Sequence, residues 1–288
     1  MPEGTYGEVS FKNRKAIKKF KRLDDKITFW KEYFIMQLFS GVDGFVQIRD
    51  FDYEERTITM EKYDCDLLSL SEKLGKPEKR LPLVKDILDQ CLKALKIFHG
   101  NGFIHGDLRA PNIMCNYNPT LNKIQCFIGD FSISSTNLLY PHYDEYYMYK
   151  PQDIILSKQI DIWMLGMSII QFITGKIIPE IEDDYIFDYR SEFTCIDLDE
   201  ETQNLLDSML LVDPDLRYSF PVYKNGFVNE FNKYYEINEA QGKPALKKFF
   251  KMCKNIIESN YYTSNDECYD DLQYRTKNFE LFAKYIRK

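Results

Sequence analysis

The chain has 288 residues, 44% of them hydrophobic and 29% charged, with a formal net charge of −7. The apolar fraction supports a real core and excludes disordered, collagen-like and low-complexity classes, while the acidic balance removes the electrostatic motive for a direct nucleic-acid partner. Seven cysteines without a C-x-x-C spacing, and only three histidines, argue against a zinc cluster and for a reducing compartment.

In chain order, residues 8–20 (EVSFKNRKAIKKF) are two short runs joined at Asn13–Arg14, the pattern of a β-hairpin. Residues 26–39 place Phe29, Tyr33 and Met36 at helical spacing. FVQIRDF and TITMEKY, within 45–62, are β-like. The character changes after Leu67. Residues 82–99 repeat apolar positions at 84, 87, 88, 91, 92, 95 and 98, an amphipathic helix that Gly100 or Gly102 can end. NIMCN and IQCFIGDF are β-like. Residues 159–174 are apolar nearly all round, as a buried helix is. A small β-rich lobe with one main helix, then a large mostly helical lobe, is an α+β arrangement with its boundary near 62–68. Residues 221–288 are lysine-rich and helical in pattern. Their segment KPALKKFFKMCK (243–254) is basic and amphipathic, and packing on the large lobe is preferred to docking of a partner or membrane face.

Asp107 sits in IHGDLRAPNIM, a loop between a helix and a β-like run, and Asp130 follows another such run in FIGDFS. Two loop carboxylates with the amide of Asn112 are hard oxygen ligands suited to Mg²⁺ and phosphates. A carboxylate also orients or deprotonates an attacking hydroxyl. Any one of these residues alone is more often a turn or cap.

Several motifs in order carry a resemblance. Gly4-Thr5-Tyr6-Gly7-Glu8-Val9 is similar to the end of a Gly-rich loop, and Lys15-Ala16-Ile17-Lys18 to V-A-I-K. His105-Gly106-Asp107-Leu108 with Asn112 is similar to H-R-D-L-x-x-x-N, and Asp130-Phe131-Ser132 to D-F-G. Tyr149-Lys150-Pro151-Gln152-Asp153, Asp161-Ile162-Trp163 and Asp213-Pro214-Asp215-Leu216-Arg217 resemble three further motifs of the same family. From Gly4 to about Phe220 the sequence resembles a eukaryotic-type protein kinase, with the two-lobed fold of that family.

The resemblance implies one kinase domain, with an N-lobe at 1–62, a C-lobe at 63–220 and a helical C-terminal extension at 221–288 packed on it. It implies ATP and Mg²⁺ as cofactors, a protein substrate, and transfer of the γ-phosphate. Gly4, Thr5, Tyr6 and Gly7 would cover the phosphates. Lys18 would neutralise the α/β-phosphates, held by Glu32 fourteen residues on, with Met36 one turn further. Asp130 and Asn112 would hold the metal, Asp107 would act as the base, and Arg109 would stabilise γ-phosphate charge. Adenine would bond the backbone of Glu61 and Tyr63, with Met60 as gate and Val9, Ala16 and Met114 around the ring. Asp161 would cap its helix and bond the catalytic-loop backbone, and Asp153 would pair with Arg217.

The pattern is departed from at three places. Pro2 stands at the first glycine, so the small lobe is expected to be truncated at its first strand. Gly106 replaces the arginine that in many kinases pairs with a phosphorylated activation loop, so loop phosphorylation is not the expected switch. Ser132 replaces the glycine of D-F-G. Asp107-Leu108-Arg109-Ala110 is similar to tyrosine-kinase loops, while Tyr149-Lys150-Pro151 is similar to the cyclin-dependent serine/threonine group, and serine/threonine specificity is preferred. The alternatives are a pseudokinase acting as a binding module, motivated by Pro2 and Ser132, a tyrosine or dual-specificity kinase, and a small-molecule phosphotransferase with H-G-D, which the later motifs disfavour. The polar start MPEGTYGEVS is not a signal peptide, and no apolar run approaches the ~18 residues of a membrane span. An intracellular, cytoplasmic monomer is expected. The Tyr, Phe, Ile, Lys and Asn bias suits an AT-rich genome, as in a large DNA virus or a protist.

Overall fold

The computed structural model describes residues 3–4, 7–20, 26–52, 55–100, 103–132, 134–136, 158–175, 197–211 and 215–220. Pro2, Thr5, Tyr6, Tyr146, the 149–153 motif, Asp213, Pro214 and the 221–288 extension lie outside the described residues.

The first lobe is built on one antiparallel sheet of five strands in the order β1-β2-β3-β5-β4: β1 Glu3–Gly4, β2 Gly7–Lys12, β3 Lys15–Phe20, β4 Ile48–Asp52 and β5 Thr57–Glu61. Helix α1, Lys26–Leu38, lies between β3 and β4 in sequence. The expected hairpin is the β2–β3 pair. Its two-residue turn, Asn13 at φ 48° and Arg14 at φ 61°, has both central residues left-handed, as a turn matching the twist of the flanking strands requires. Ahead of it, Glu3 and Gly4 face Glu8 and Gly7, so a short strand does precede the glycine-containing turn.

Register decides what faces the cleft. Lys18 pairs with Val9 on one side and Ile58 on the other, and Ala16 pairs with Phe11 and Met60. Cross-strand partners project to the same face, so Val9, Ala16, Lys18 and Met60 share one surface. Along β3, Ala16, Lys18 and Phe20 are buried while Lys15 and Lys19 are exposed, which is the period-two signature of a half-covered sheet. Phe20 meets Phe29 of α1 edge-on at 5.3 Å, and Tyr33 of α1 meets Phe51 of β4 at 4.2 Å. These contacts hold α1 against the sheet.

The second part begins at β6, Cys65–Asp66, and runs through α2 (Leu67–Leu74), α3 (Pro77–Arg80) and α4 (Val84–Gly100). It continues with β7 (Phe103–Ile104), β8 (Ile113–Asn118), β9 (Lys123–Ile128) and β10 (Ser135–Thr136), then α5 (Lys158–Thr174) and α6 (Glu200–Met209). β6, β8 and β9 form one small sheet, and β7 pairs with β10. Asp66 caps α2 by accepting from the Ser69 backbone N–H at 2.8 Å. Asp199 caps α6 in the same way through Thr202. Gly100 is the last residue of α4, one of the two stops the sequence offered.

α5 is buried from Ile160 to Ile173, so it is the central rod of this lobe. Arg80, itself buried, ties the ends of α2 and α5 together. Its guanidinium donates to the carbonyls of Ser71 at 3.0 Å and Ile173 at 2.9 Å, and also to that of Gly75. Carbonyls at helix C-termini lack partners within the helix, and one buried cation satisfies several.

An aromatic cluster joins the two parts. Phe39, just past α1, stacks on Phe45 at 4.5 Å and approaches Phe98 of α4 at 5.3 Å and Phe103 at 5.8 Å. Phe98 in turn lies 5.5 Å from Phe131. All five rings are fully buried. Burial of one such ring contributes about 1.5–3 kcal/mol, so the cluster anchors α1 to the larger lobe. Among the described residues, no helix is long and apolar enough to cross a membrane.

Candidate active site

The site lies where the face of β3 meets the loops around β7, β8 and β9. Lys18, buried on β3, extends its ammonium to Glu32 at 2.7 Å and to Asp130 at 2.8 Å. Glu32 is buried on the inner face of α1, with Met36 buried one turn further along. Burial disfavours the charged ammonium, but Asp130 and Glu32 outweigh it and hold Lys18 well above the ordinary lysine range. For Asp130, burial likewise opposes ionisation, and the Lys18 ammonium overrides it, keeping the carboxyl well below the usual carboxylate range. Lys18 is therefore a fixed positive charge between the side chains of Glu32 and Asp130.

Asp130 has φ 56°, in the left-handed region that an aspartate tolerates better than most residues. Its Oδ1 also accepts from the Ser132 backbone N–H at 3.4 Å. Ser132, standing where the family has glycine, is not at positive φ, so its Cβ carries no backbone penalty in this conformation.

Asp107 follows β7 in a loop closed at Asn112. The Asn112 side-chain amide donates to the Asp107 carbonyl at 2.7 Å and to its carboxylate Oδ2 at 2.8 Å. The Arg109 guanidinium lies on Asp107 Oδ1 at 2.7 Å. Burial raises the Asp107 pKa above the ordinary aspartate value, against the lowering effect of Arg109. Arg109, expected from the sequence at the γ-phosphate, is thus engaged by Asp107 in this structure.

The loop is held from beneath by Asp161. Its carboxylate accepts from the backbone N–H of His105 at 2.7 Å and of Gly106 at 2.8 Å, and lies 2.8 Å from His99 Nε2. The expected bond to the catalytic-loop backbone is present. The expected helix cap is not: α5 begins at Lys158, so Asp161 lies within its first turn, and its oxygens are spent on the loop. Gly106 has φ 79°, a conformation in which an arginine would be strained. Ser134 Oγ donates to the His105 carbonyl and Ser168 Oγ to that of Leu108, both near 3.0 Å.

Met60 is half-buried beside the buried Ala16 on the same sheet face as the half-buried Val9, and Met114 of β8 is half-buried too. The Glu61 backbone N–H is taken by the Gln47 carbonyl at 2.9 Å. Tyr63 is anchored through its side chain, whose Oη accepts from the Gln47 backbone N–H at 3.0 Å. Gln47, His99, Ser134 and Ser168 were not singled out in the sequence. A lone Gln, His or Ser has no local pattern that reveals a distant backbone partner. Of the other predicted residues, Gly4 ends β1 and Gly7 opens β2, while Thr5 and Tyr6 lie outside the described residues. Arg217 stacks its guanidinium over Trp163 at 4.9 Å, and its predicted partner Asp153 lies outside the described residues.

The donor set fits a hard divalent cation. Asn112 spends its N–H donors on Asp107, which leaves its carbonyl oxygen as the outward-acting group. Asp130 supplies a carboxylate on the facing loop.

A small sheet-based lobe, a larger helical lobe and a lysine–glutamate–aspartate cluster between them define a kinase-type phosphotransferase fold. The chain matches the protein kinase domain over residues 3–227 and belongs to that family. It is 30% identical over 153 residues to a "Probable cell division protein kinase" of Encephalitozoon cuniculi, covering 49% of this chain and 43% of that protein. It is 26% identical over 98 residues to the "CTD kinase subunit alpha" of Schizosaccharomyces pombe, covering 32% and 16% respectively. A "Probable cyclin-dependent serine/threonine-protein kinase" of Dictyostelium discoideum is 24% identical over 135 residues, covering 44% and 20%. The chain spans less than half the length of these curated relatives.

Proposed function

We propose that the chain is a catalytically active protein kinase that transfers the γ-phosphate of ATP, with Mg²⁺, to serine or threonine hydroxyls of proteins. The observation that carries this reading is the Lys18 ammonium held between Glu32 and Asp130 at 2.7 and 2.8 Å, with Asp107 and Asn112 on the adjoining loop. ATP with Mg²⁺ supplies the transferable phosphoryl group and neutralises its developing charge.

Lys18, positioned by Glu32, binds the α/β-phosphates. Asn112 and Asp130 hold the metal. Asp107 accepts the proton of the attacking hydroxyl, and its raised pKa makes it a stronger base than an ordinary aspartate. Arg109 shares its charge between Asp107 and the γ-phosphate. Gly4, Thr5, Tyr6 and Gly7 cover the phosphates, and Val9, Ala16, Met60, Glu61, Tyr63 and Met114 form the adenine pocket. The domain is organised as N-lobe 1–62, C-lobe 63–220 and extension 221–288. The preference for serine and threonine is supported by the likeness to the probable serine/threonine-protein kinase of Dictyostelium discoideum.

The test is phosphorylation of the protein itself, and of a mixed peptide library, with labelled ATP and Mg²⁺. Asp130→Asn and Lys18→Met serve as controls, and phosphoamino-acid analysis reads the acceptor. Incorporation that survives both substitutions sinks the reading. Phosphotyrosine alone sinks the acceptor assignment. No turnover and no thermal shift with Mg-ATP supports a binding module instead, the alternative that Pro2 and Ser132 motivate.

A further inference from the structure

Three of the seven cysteines line up across the small sheet of β6, β8 and β9. Cys65 of β6 is the register partner of Cys115 of β8, and Cys115 is the register partner of Cys126 of β9. Cross-strand partners project to the same face, so the thiols form a row from the half-buried Cys65 to the buried Cys115 and Cys126. Cys91 of α4 is buried as well. The Sγ atoms of Cys65 and Cys115 are 3.7 Å apart, and the Cys115 thiol lies 3.3 Å from the Cys65 carbonyl.

We propose that Cys65 and Cys115 are a peroxide-responsive dithiol that closes to a reversible disulfide between β6 and β8. Directly opposed residues on antiparallel strands have Cα atoms about 4.5–5.5 Å apart, inside the range a disulfide spans. The two thiols have opposite characters. The Cys65 thiol is lowered to about 7, first by its hydrogen bond with Cys115, with Lys73 aiding and burial and Asp66 opposing. That of Cys115 is pushed up by the same hydrogen bond and by burial. A half-buried thiol with thiolate character beside a buried protonated thiol is the arrangement of an attacking and a resolving cysteine.

The Cys65 thiolate attacks one peroxide oxygen. An S–O bond forms, the O–O bond breaks, and hydroxide leaves, giving the sulfenic acid. The Cys115 sulfur then attacks the Cys65 sulfur. The S–S bond forms, the S–O bond breaks, and the hydroxyl leaves with the Cys115 proton as water. Two thiols are oxidised by two electrons in all, and one peroxide becomes two waters once the leaving hydroxide takes up the proton that Cys65 released on ionising. The bond joins the residue two beyond Tyr63 to the residue after Met114, so it sits beside the nucleotide cleft whether or not the chain is an active enzyme. Cys91 and Cys126 are both buried, away from a soluble oxidant.

The test is treatment of the full chain with graded hydrogen peroxide, then non-reducing proteolysis and mass mapping. The expected result is a Cys65–Cys115 linked peptide that dithiothreitol cleaves. In Cys65→Ser, the Cys115 thiol stays free at the same dose. In Cys115→Ser, Cys65 is trapped by a sulfenic-acid reagent. Wild type and Cys65→Ser carry the test even if the buried Cys115→Ser variant folds poorly. Over-oxidation of Cys65 with Cys115 still free overturns the proposal. So does a Cys115–Cys126 link in place of Cys65–Cys115, or no loss of either thiol at doses that oxidise the unfolded chain.

Discussion

Lys18 and Asp130, 112 residues apart, meet at 2.8 Å, and the same ammonium also holds Glu32. One cation thus joins β3, α1 and the loop after β9. Substituting Lys18→Met removes the ammonium that pairs with both carboxylates, one of them on the fully buried Glu32. It is expected to cost about 3–5 kcal/mol of stability. Glu32→Gln is expected to cost less, because Lys18 keeps Asp130. Asp130 has a depressed value in the fold, so the stability it contributes is present above the ordinary carboxylate value of about 3.9 and lost as pH falls below it. The gap between wild type and Lys18→Met should therefore narrow in acid. Urea midpoints at neutral and acid pH measure both effects.

Asp107 behaves in the opposite sense. Burial raises its folded value, so ionisation works against folding, and its contribution to stability fades as pH rises through that raised value. In the proposed phosphoryl transfer the carboxylate acts ionised, so the rate is expected to fall as pH drops through the same value. The acid limb of kcat/KM is expected above the pH of an unperturbed aspartate. Asp107→Asn should lower the rate by about 10²–10⁴-fold and remove that limb. A pH–rate profile of both proteins decides it.

Asp161 faces the N–H groups of His105 and Gly106 together with His99 Nε2. Asp161→Asn replaces one accepting oxygen with an NH₂ donor, which in either amide orientation is set against a backbone N–H, that of His105 or of Gly106. The expected loss is about 3 kcal/mol, with faster hydrogen exchange at the His105 and Gly106 amides. Unchanged exchange at those two amides would contradict the assignment.

Gly129 precedes Asp130, and a Cβ there would come within 2.6 Å of Val46 Cγ2. Val46 is fixed, since its backbone N–H donates to the Ile128 carbonyl at 2.9 Å. Gly129→Ala is expected to cost about 1–3 kcal/mol through overpacking. Val46→Ala should recover part of that loss in the double variant, with a coupling of roughly 0.5–3 kcal/mol. Thermal unfolding of the four proteins closes the cycle.

The sequence by itself determined the local structure and the chemistry on offer. The hairpin at Asn13–Arg14, α1, α4, α5 and the strands around Asp107 and Asp130 were legible because hydrophobic periodicity and turn residues act over a few positions. Lys18, Asp107, Asn112 and Asp130 were legible because ordered short motifs mark them. Only the tertiary structure decided that Lys18 also meets Asp130 and that Arg109 lies against Asp107. It alone placed Asp161 beneath a loop more than fifty residues earlier in the chain, instead of at its helix cap. It also decided that Phe39, Phe98 and Phe131 form one cluster and that Cys65 faces Cys115. Such contacts depend on how whole elements pack and register, and the closure of long loops leaves no local pattern in the residues that meet.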